Sequence, residues 1–111
     1  MSKTRKIEVY IPSRDKEGKD LFLKDTIDAY QCFVGFLVDA FGGCTEYETK
    51  GFYKDPKGAL IAERVTLLVS YATELEVDTH LSTLQIMMGE AKLILQQESW
   101  AYALDGVMYF I

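Results

Sequence analysis

The chain has 111 residues, of which 49% are hydrophobic and 13% aromatic, and it carries a formal net charge of −5. This fits one compact domain over residues 1–111 and argues against wholesale disorder. The acidic balance excludes a broad basic face that would track a nucleic-acid backbone, and no apolar run approaches the 18 or more residues of a bilayer span.

The first element is "KIEVYIP". Ile7, Val9 and Ile11 alternate with Glu8 and Tyr10 up to Pro12, which predicts a strand with one apolar face. The charged run "SRDKEGKDLFLKD" contains Gly18 and reads as a surface loop, long enough to move or to cover something. A helix follows, with Asp25 or Thr26 as its cap. Ile27, Tyr30, Val34, Leu37, Val38 and Phe41 form its buried stripe, and Gly42-Gly43 its stop.

"CTEYETKGFYK" and "ALIAERVTLLVSYA" read as two strands joined through the turn "DPKG", where Pro56 presets φ and Gly58 closes. Asp78 is the expected cap of a second helix with Val77, Leu81, Leu84, Met88, Ala91 and Leu95 inside. The end, "WAYAL-DG-VMYFI", is a hairpin signalled by Asp105-Gly106. The order β-α-β-β-α-β plus one strand predicts an α+β, ferredoxin-like fold: an antiparallel sheet with two helices on one face.

In the third strand, Ile61, Val65, Leu67, Val69 and Tyr71 share a register with Glu63 and read as the core-facing side. That leaves Leu60, Ala62, Arg64, Thr66, Leu68 and Ser70, a mixed set, on the helix-free face, with aromatics on both registers of the second strand. A chain this small buries only roughly 60–70% of its unfolded surface. A partly apolar free face therefore predicts an oligomer with sheets meeting at its centre.

The motifs of common chemistries are missing. His80, the one histidine, reads as a surface residue near the start of the second helix, and no zinc spacing accompanies it. There is no nucleophile elbow and no phosphate-binding glycine loop. Cys32 and Cys44 lack a paired spacing, and no apolar run follows the basic "SKTRK", so the expectation is two free thiols in a reducing cytoplasm, with no metal or cofactor. Met87-Met88 reads as packing and "QQE", residues 96 to 98, as a solvated helix end.

Glu63 is the exception to the apolar pattern. A carboxylate buried unpaired costs several kcal/mol or responds with a raised pKa. Three readings are open. It pairs with Arg5, Lys50 or Arg64; it lies at the exposed strand start beside the turn; or it lines a pocket and meets a cationic ligand. Tyr53 is a possible neighbour across the hairpin.

"KGFYKDPKGALIAERVTLLV", followed by an amphipathic helix, "QQESWAYAL" and a closing hairpin, resembles the S-adenosylmethionine lyases of bacteriophages, long called hydrolases. The resemblance covers roughly residues 42 to 111. It rests on Gly51-Phe52-Tyr53-Lys54-Asp55 as a Gly-x-Tyr-basic-acidic stretch, on Glu63 about ten residues later, and on Gln97-Glu98 before the last hairpin. It implies a fold like the PII signalling proteins and a homotrimer with sites at subunit interfaces. The implied reaction converts S-adenosylmethionine to methylthioadenosine and homoserine lactone by attack of the substrate's own carboxylate. In a host cytoplasm this would deplete the methyl donor of restriction systems.

Carried over residue by residue, the resemblance implies Glu63 as the anionic holder and Tyr53 as the positioning residue. It also implies backbone walls at Gly51 and Phe52; among the aromatics outside the motif, Tyr47 is the candidate to stack on adenine. The alternative is a non-catalytic PII-like trimer that binds a nucleotide or similar metabolite, as regulator or sponge. The four-residue turn between the second and third strands counts against a PII signalling role, which uses a long loop there.

Overall fold

A computed structural model of the chain describes residues 2–111. Its elements in order are β1 (Arg5–Ile11), α1 (Leu23–Phe41), β2 (Thr45–Lys54), β3 (Leu60–Ala72), α2 (Glu74–Ile94), β4 (Ala101–Leu104) and β5 (Val107–Phe110). The five strands form one sheet in the order β2-β3-β1-β4-β5, with every neighbouring pair antiparallel. This is the ferredoxin-like arrangement expected from the element order, with β5 as the added edge.

The β1 alternation sets the sheet's inner face. Ile7, Val9 and Ile11 are buried, and pairing places Ser70, Leu68 and Thr66 of β3 opposite them. Residues directly opposite in an antiparallel ladder share a face. The even register of β3 therefore lies under the helices. The expected assignment is reversed: Ile61, Glu63, Val65, Leu67, Val69 and Tyr71 lie on the helix-free side. A one-residue shift inverts every side chain of a strand, and β1, with one unambiguous apolar face, decides the register for β3. Ser70 is the polar member of the inner register; its hydroxyl donates to the Gly43 carbonyl at 2.7 Å, which removes the penalty of burying it.

Both helix starts differ from expectation. α1 begins at Leu23 behind Phe22, with no side-chain cap. Thr26 lies in the first turn and donates its hydroxyl back to the Phe22 carbonyl at 2.9 Å. α2 begins at Glu74, and Thr73, not Asp78, caps it. The Thr73 hydroxyl accepts from the Glu76 amide at 3.2 Å while the Glu76 carboxylate accepts from the Thr73 amide at 2.8 Å. This reciprocal capping box was encoded in "TELE".

The α1 stripe is rotated from the expected one. Phe33, Leu37, Ala40 and Phe41 are buried, while Ile27 and Val38 are exposed. Phe33 stacks on the buried Trp100 with ring centroids 5.6 Å apart. The α2 stripe agrees: Val77, Leu84, Met88, Ala91 and Leu95 are buried, with Leu81 packed against them. His80 is half-buried, edge-on to Phe36 and Phe41 at 6.2 and 6.0 Å, so it is a packing residue and not a surface one.

Turns and caps follow their residues. Gly42 takes the left-handed conformation at φ 86° and sends its amide to Val38. Asp105 and Gly106 have φ 54° and 82°, as a two-residue β4–β5 turn of this type requires. The Asp105 carboxylate then accepts from the Lys6 amide at 2.9 Å and pairs with Arg5 at 2.6 Å.

Residues 13–21 are more ordered than a plain loop. Ser13 and Arg14 face Asp20 and Leu21: Arg14 bridges Asp20, and the Leu21 amide donates to the Ser13 carbonyl at 3.0 Å. Between them Asp15 organises a turn, its side chain accepting from the Glu17 and Lys19 amides. No described helix is long and apolar enough to cross a membrane.

Candidate functional site

The β2–β3 hairpin pairs Gly51 with Glu63 and Tyr53 with Ile61. Gly51, Tyr53 and Glu63 therefore share the helix-free face. Tyr53 is the diagonal neighbour of Glu63, a separation of about 7–8 Å between diagonal positions. Phe52 pairs with Ala62 in the alternate register, so it borders the site from the strand backbone, and its ring is directed to the other face.

Two clefts meet at Glu63. One, about 410 Å³, opens on the helix-free side. Tyr10, Gly51, Phe52, Tyr53, Val65, Trp100 and Met108 line it together with Glu63, Gln97 and Ser99. The other, about 770 Å³, lies toward α1 and is lined by Arg14, Tyr30, Glu46, Glu48, Lys50 and Arg64 among others, again with Glu63. The first has the character of a small-molecule site: mostly apolar and aromatic, with few polar groups. The second is a polar trough in which several charges already have partners. The Tyr30 hydroxyl donates to Glu46, and Thr66 donates to Glu48 at 3.1 Å.

Glu63 is half-buried and stands in no ion pair among the described residues. Arg5, proposed as one partner, is held by Asp105 and Glu74. Lys50 and Arg64 stand opposite each other across the hairpin on the alternate register, and neither is in an ion pair with Glu63. The ion-pair reading fails, and so does the exposed strand start. What remains is a carboxylate at a cleft. Burial raises its pKa above the usual glutamate value, while the Ser13 amide and the charge of Arg14 pull it back down. The Tyr53 phenol is raised by burial and then by the Glu63 charge, so it stays protonated at neutral pH.

Of the sequence-derived site residues, Glu63, Tyr53, Gly51 and Phe52 come together. Tyr47 does not. It pairs with Leu67, four residues along β2 from Gly51, or about 13 Å at strand rise, and it lies outside the smaller cleft. Strand length is the reason: two positions on one face need not share a pocket.

Sequence reasoning missed Tyr10 and Met108; of residues 13–21 it foresaw a loop able to cover something, but not that Ser13 and Arg14 would border Glu63. Tyr10 was legible in the β1 alternation, which already put it on the face opposite the core. Gln97 was expected at a solvated helix end. Instead it is half-buried, and its side-chain amide donates to the Arg14 and Leu95 carbonyls at 2.7 and 2.9 Å. Both cysteines are free thiols, Cys32 exposed and Cys44 half-buried. No group of three potential metal ligands converges among the described residues.

No family model and no curated protein matches the sequence. Solved structures do match the fold over the whole chain. A phage SAM lyase in complex with S-methyl-5'-thioadenosine aligns with a TM-score of 0.67 at 14% identity, covering 100% of this chain and 91% of the other. A phage SAM lyase in its apo state aligns with a TM-score of 0.63 at 16% identity, covering 100% and 94%.

Proposed function

We propose that the chain is an S-adenosylmethionine lyase whose substrate binds in the smaller cleft, between Glu63 and Tyr53. The observation that carries this reading is the unpaired, half-buried Glu63 carboxylate in a wall of aromatic and apolar side chains. Such a group rewards a cation and little else. The fold shared with a lyase that holds S-methyl-5'-thioadenosine supports the choice of cation.

In this reading Glu63 holds the ammonium or sulfonium end of the substrate. An arriving cation offsets the burial that disfavours its charge. Tyr53 and Tyr10 offer aromatic faces to the cation and neutral hydroxyls to the substrate's polar groups. Gly51, directly opposite Glu63, leaves the flank of the carboxylate open. The substrate carboxylate oxygen attacks its own γ-carbon. The carbon–oxygen bond of homoserine lactone forms as the carbon–sulfur bond breaks, and the electron pair leaves with sulfur as neutral methylthioadenosine. Holding the tail in near-attack geometry can contribute several kcal/mol. Excluding water strengthens the attraction between the attacking carboxylate and the cationic centre.

The same reading includes a homotrimer assembled through the helix-free face. Tyr47, Tyr71, Met108 and Phe110 are exposed there, beside the half-buried Val65 and Leu67, an apolar display of the kind that marks interfaces. The test is incubation with S-adenosylmethionine followed by chromatography. Methylthioadenosine should appear, made by a species near three times the 12.6 kDa chain on gel filtration. S-adenosylmethionine recovered unchanged from a tight complex would replace the lyase with a non-catalytic binder.

A further inference from the structure

The strap of residues 13–21 lines the α1-side cleft through Ser13, Arg14, Asp20 and Leu21, while Gln97, which holds it, lines the smaller cleft, and Glu63 lines both. The Gln97 amide donates to the Arg14 carbonyl at 2.7 Å, and the Lys16 amide donates to the Gln96 carbonyl at 2.8 Å. The α2–β4 connection thus grips the strap twice. Ser13 and Arg14 in turn border Glu63 in the α1-side cleft. Gln97 is itself held: its backbone amide donates to the Lys92 carbonyl at 2.9 Å, and its side chain also caps Leu95. A group fixed at its own base can position what it binds.

We propose that Gln97 is a positioning residue for Glu63: its side-chain amide pins the Ser13–Arg14 strap beside the carboxylate and so keeps the cleft's unpaired acid in place for a cationic ligand. The inference rests on reading Glu63 as the cation holder. The charged and titratable groups that share a cleft with Glu63 are Arg14 and Asp20 from the strap, Tyr10 from β1, Tyr30 from α1, Glu46, Glu48, Lys50 and Tyr53 from β2, and Arg64 from β3. Of these, Arg14 is the cation that acts on Glu63, and its guanidinium is turned toward Asp20 at 3.4 Å. Releasing the strap takes the Ser13 amide and the Arg14 charge away from Glu63 together, while burial stays. The carboxyl then becomes a weaker acid and is less ionised at neutral pH.

The test uses protein with 13C-labelled glutamate carboxyls and follows Glu63 through a pH titration without substrate, the signal being assigned by its loss in Glu63→Gln. Gln97→Met keeps the length and apolar stem of the side chain but removes the donor. Its Glu63 midpoint should move to higher pH. In turnover, kcat/KM at pH 7 should fall about tenfold, chiefly through KM, and recover toward wild type as the pH rises. A Glu63 titration unchanged in folded Gln97→Met overturns the proposal. If that variant does not fold, Arg14→Gln probes the link from the other end, because it removes the guanidinium but keeps the carbonyl that Gln97 binds. An unchanged Glu63 midpoint there overturns it too. Wild-type protein that leaves S-adenosylmethionine intact would refute the lyase reading without touching the titration result, so the two failures are told apart.

Discussion

The two halves of β3 are one strand with opposite fates. Leu68, Ser70 and Ala72 are buried under the helices, and Val69, on the opposite face, is buried as well; all four are flanked by β1. Leu60 to Val65 run past the end of β1, paired only with β2, and are exposed or half-buried. The molecule is elongated accordingly, 48 Å by 26 Å by 22 Å. The buried half has no freedom to carry a charge. The projecting half has too little cover to be a core, yet enough, with Tyr10, Met108 and the strap around it, to perturb a carboxylate. Stability and the candidate chemistry thus reside on one strand, about five residues apart. The division is energetic: a functional acid can be kept where burial is partial, since full burial would neutralise it or demand a fixed partner.

Substitutions in the two halves should separate cleanly. The largest effect belongs to the buried half. Leu68→Ala opens a cavity under the helices and should cost about 2–5 kcal/mol of stability, read as a lowered denaturant midpoint, with the chemistry of the surviving folded fraction unchanged. If its folded fraction lost turnover while stability held, the halves would not be separate.

Glu63→Gln should do the reverse. Turnover of S-adenosylmethionine should fall roughly 10²-fold or more, with the gel-filtration size unchanged from wild type. The stability change has a definite sign. A carboxyl whose folded pKa is raised binds its proton more tightly in the native state. Its contribution to stability therefore declines as pH rises from the ordinary glutamate value, about 4.3, through the folded value. Ligand-free Glu63→Gln should therefore melt above wild type at pH 7, and the gap should close toward pH 4. Thermal melts across that range check it; a variant less stable than wild type at pH 7 would show that Glu63 holds the fold together.

The smallest effect is at Gly51. A Cβ there would lie 3.7 Å from a Val65 methyl and 3.9 Å from the Glu63 carbonyl, ordinary contact distances. No fold requirement for glycine is visible, and glycine inside a strand costs roughly 0.5–1 kcal/mol relative to alanine. Gly51→Leu should fold as well as wild type yet fill the space beside Glu63 and lower turnover about tenfold. Full activity in that variant would remove Gly51 from the cleft wall.

Much of this was legible in the residues. The β1 alternation, the α2 stripe, the Asp55–Gly58 and Asp105-Gly106 turns and the β-α-β-β-α-β order are local signals, because period and turn chemistry act within a few residues. Glu63 stood out because it broke a local rule. The register of β3, the separation of Tyr47 from the cleft and the role of Gln97 were not legible, since each depends on a partner far along the chain. Val9 opposite Leu68 chose the face of Glu63. The Gln97 contact with Arg14 spans 83 residues. By itself the sequence determined which segments would be strands and helices and marked one acid as out of place. Only the tertiary structure decided that the acid faces away from the helices with no ion pair among the described residues, because the antiparallel pairing to β1 turns that register of β3 outward.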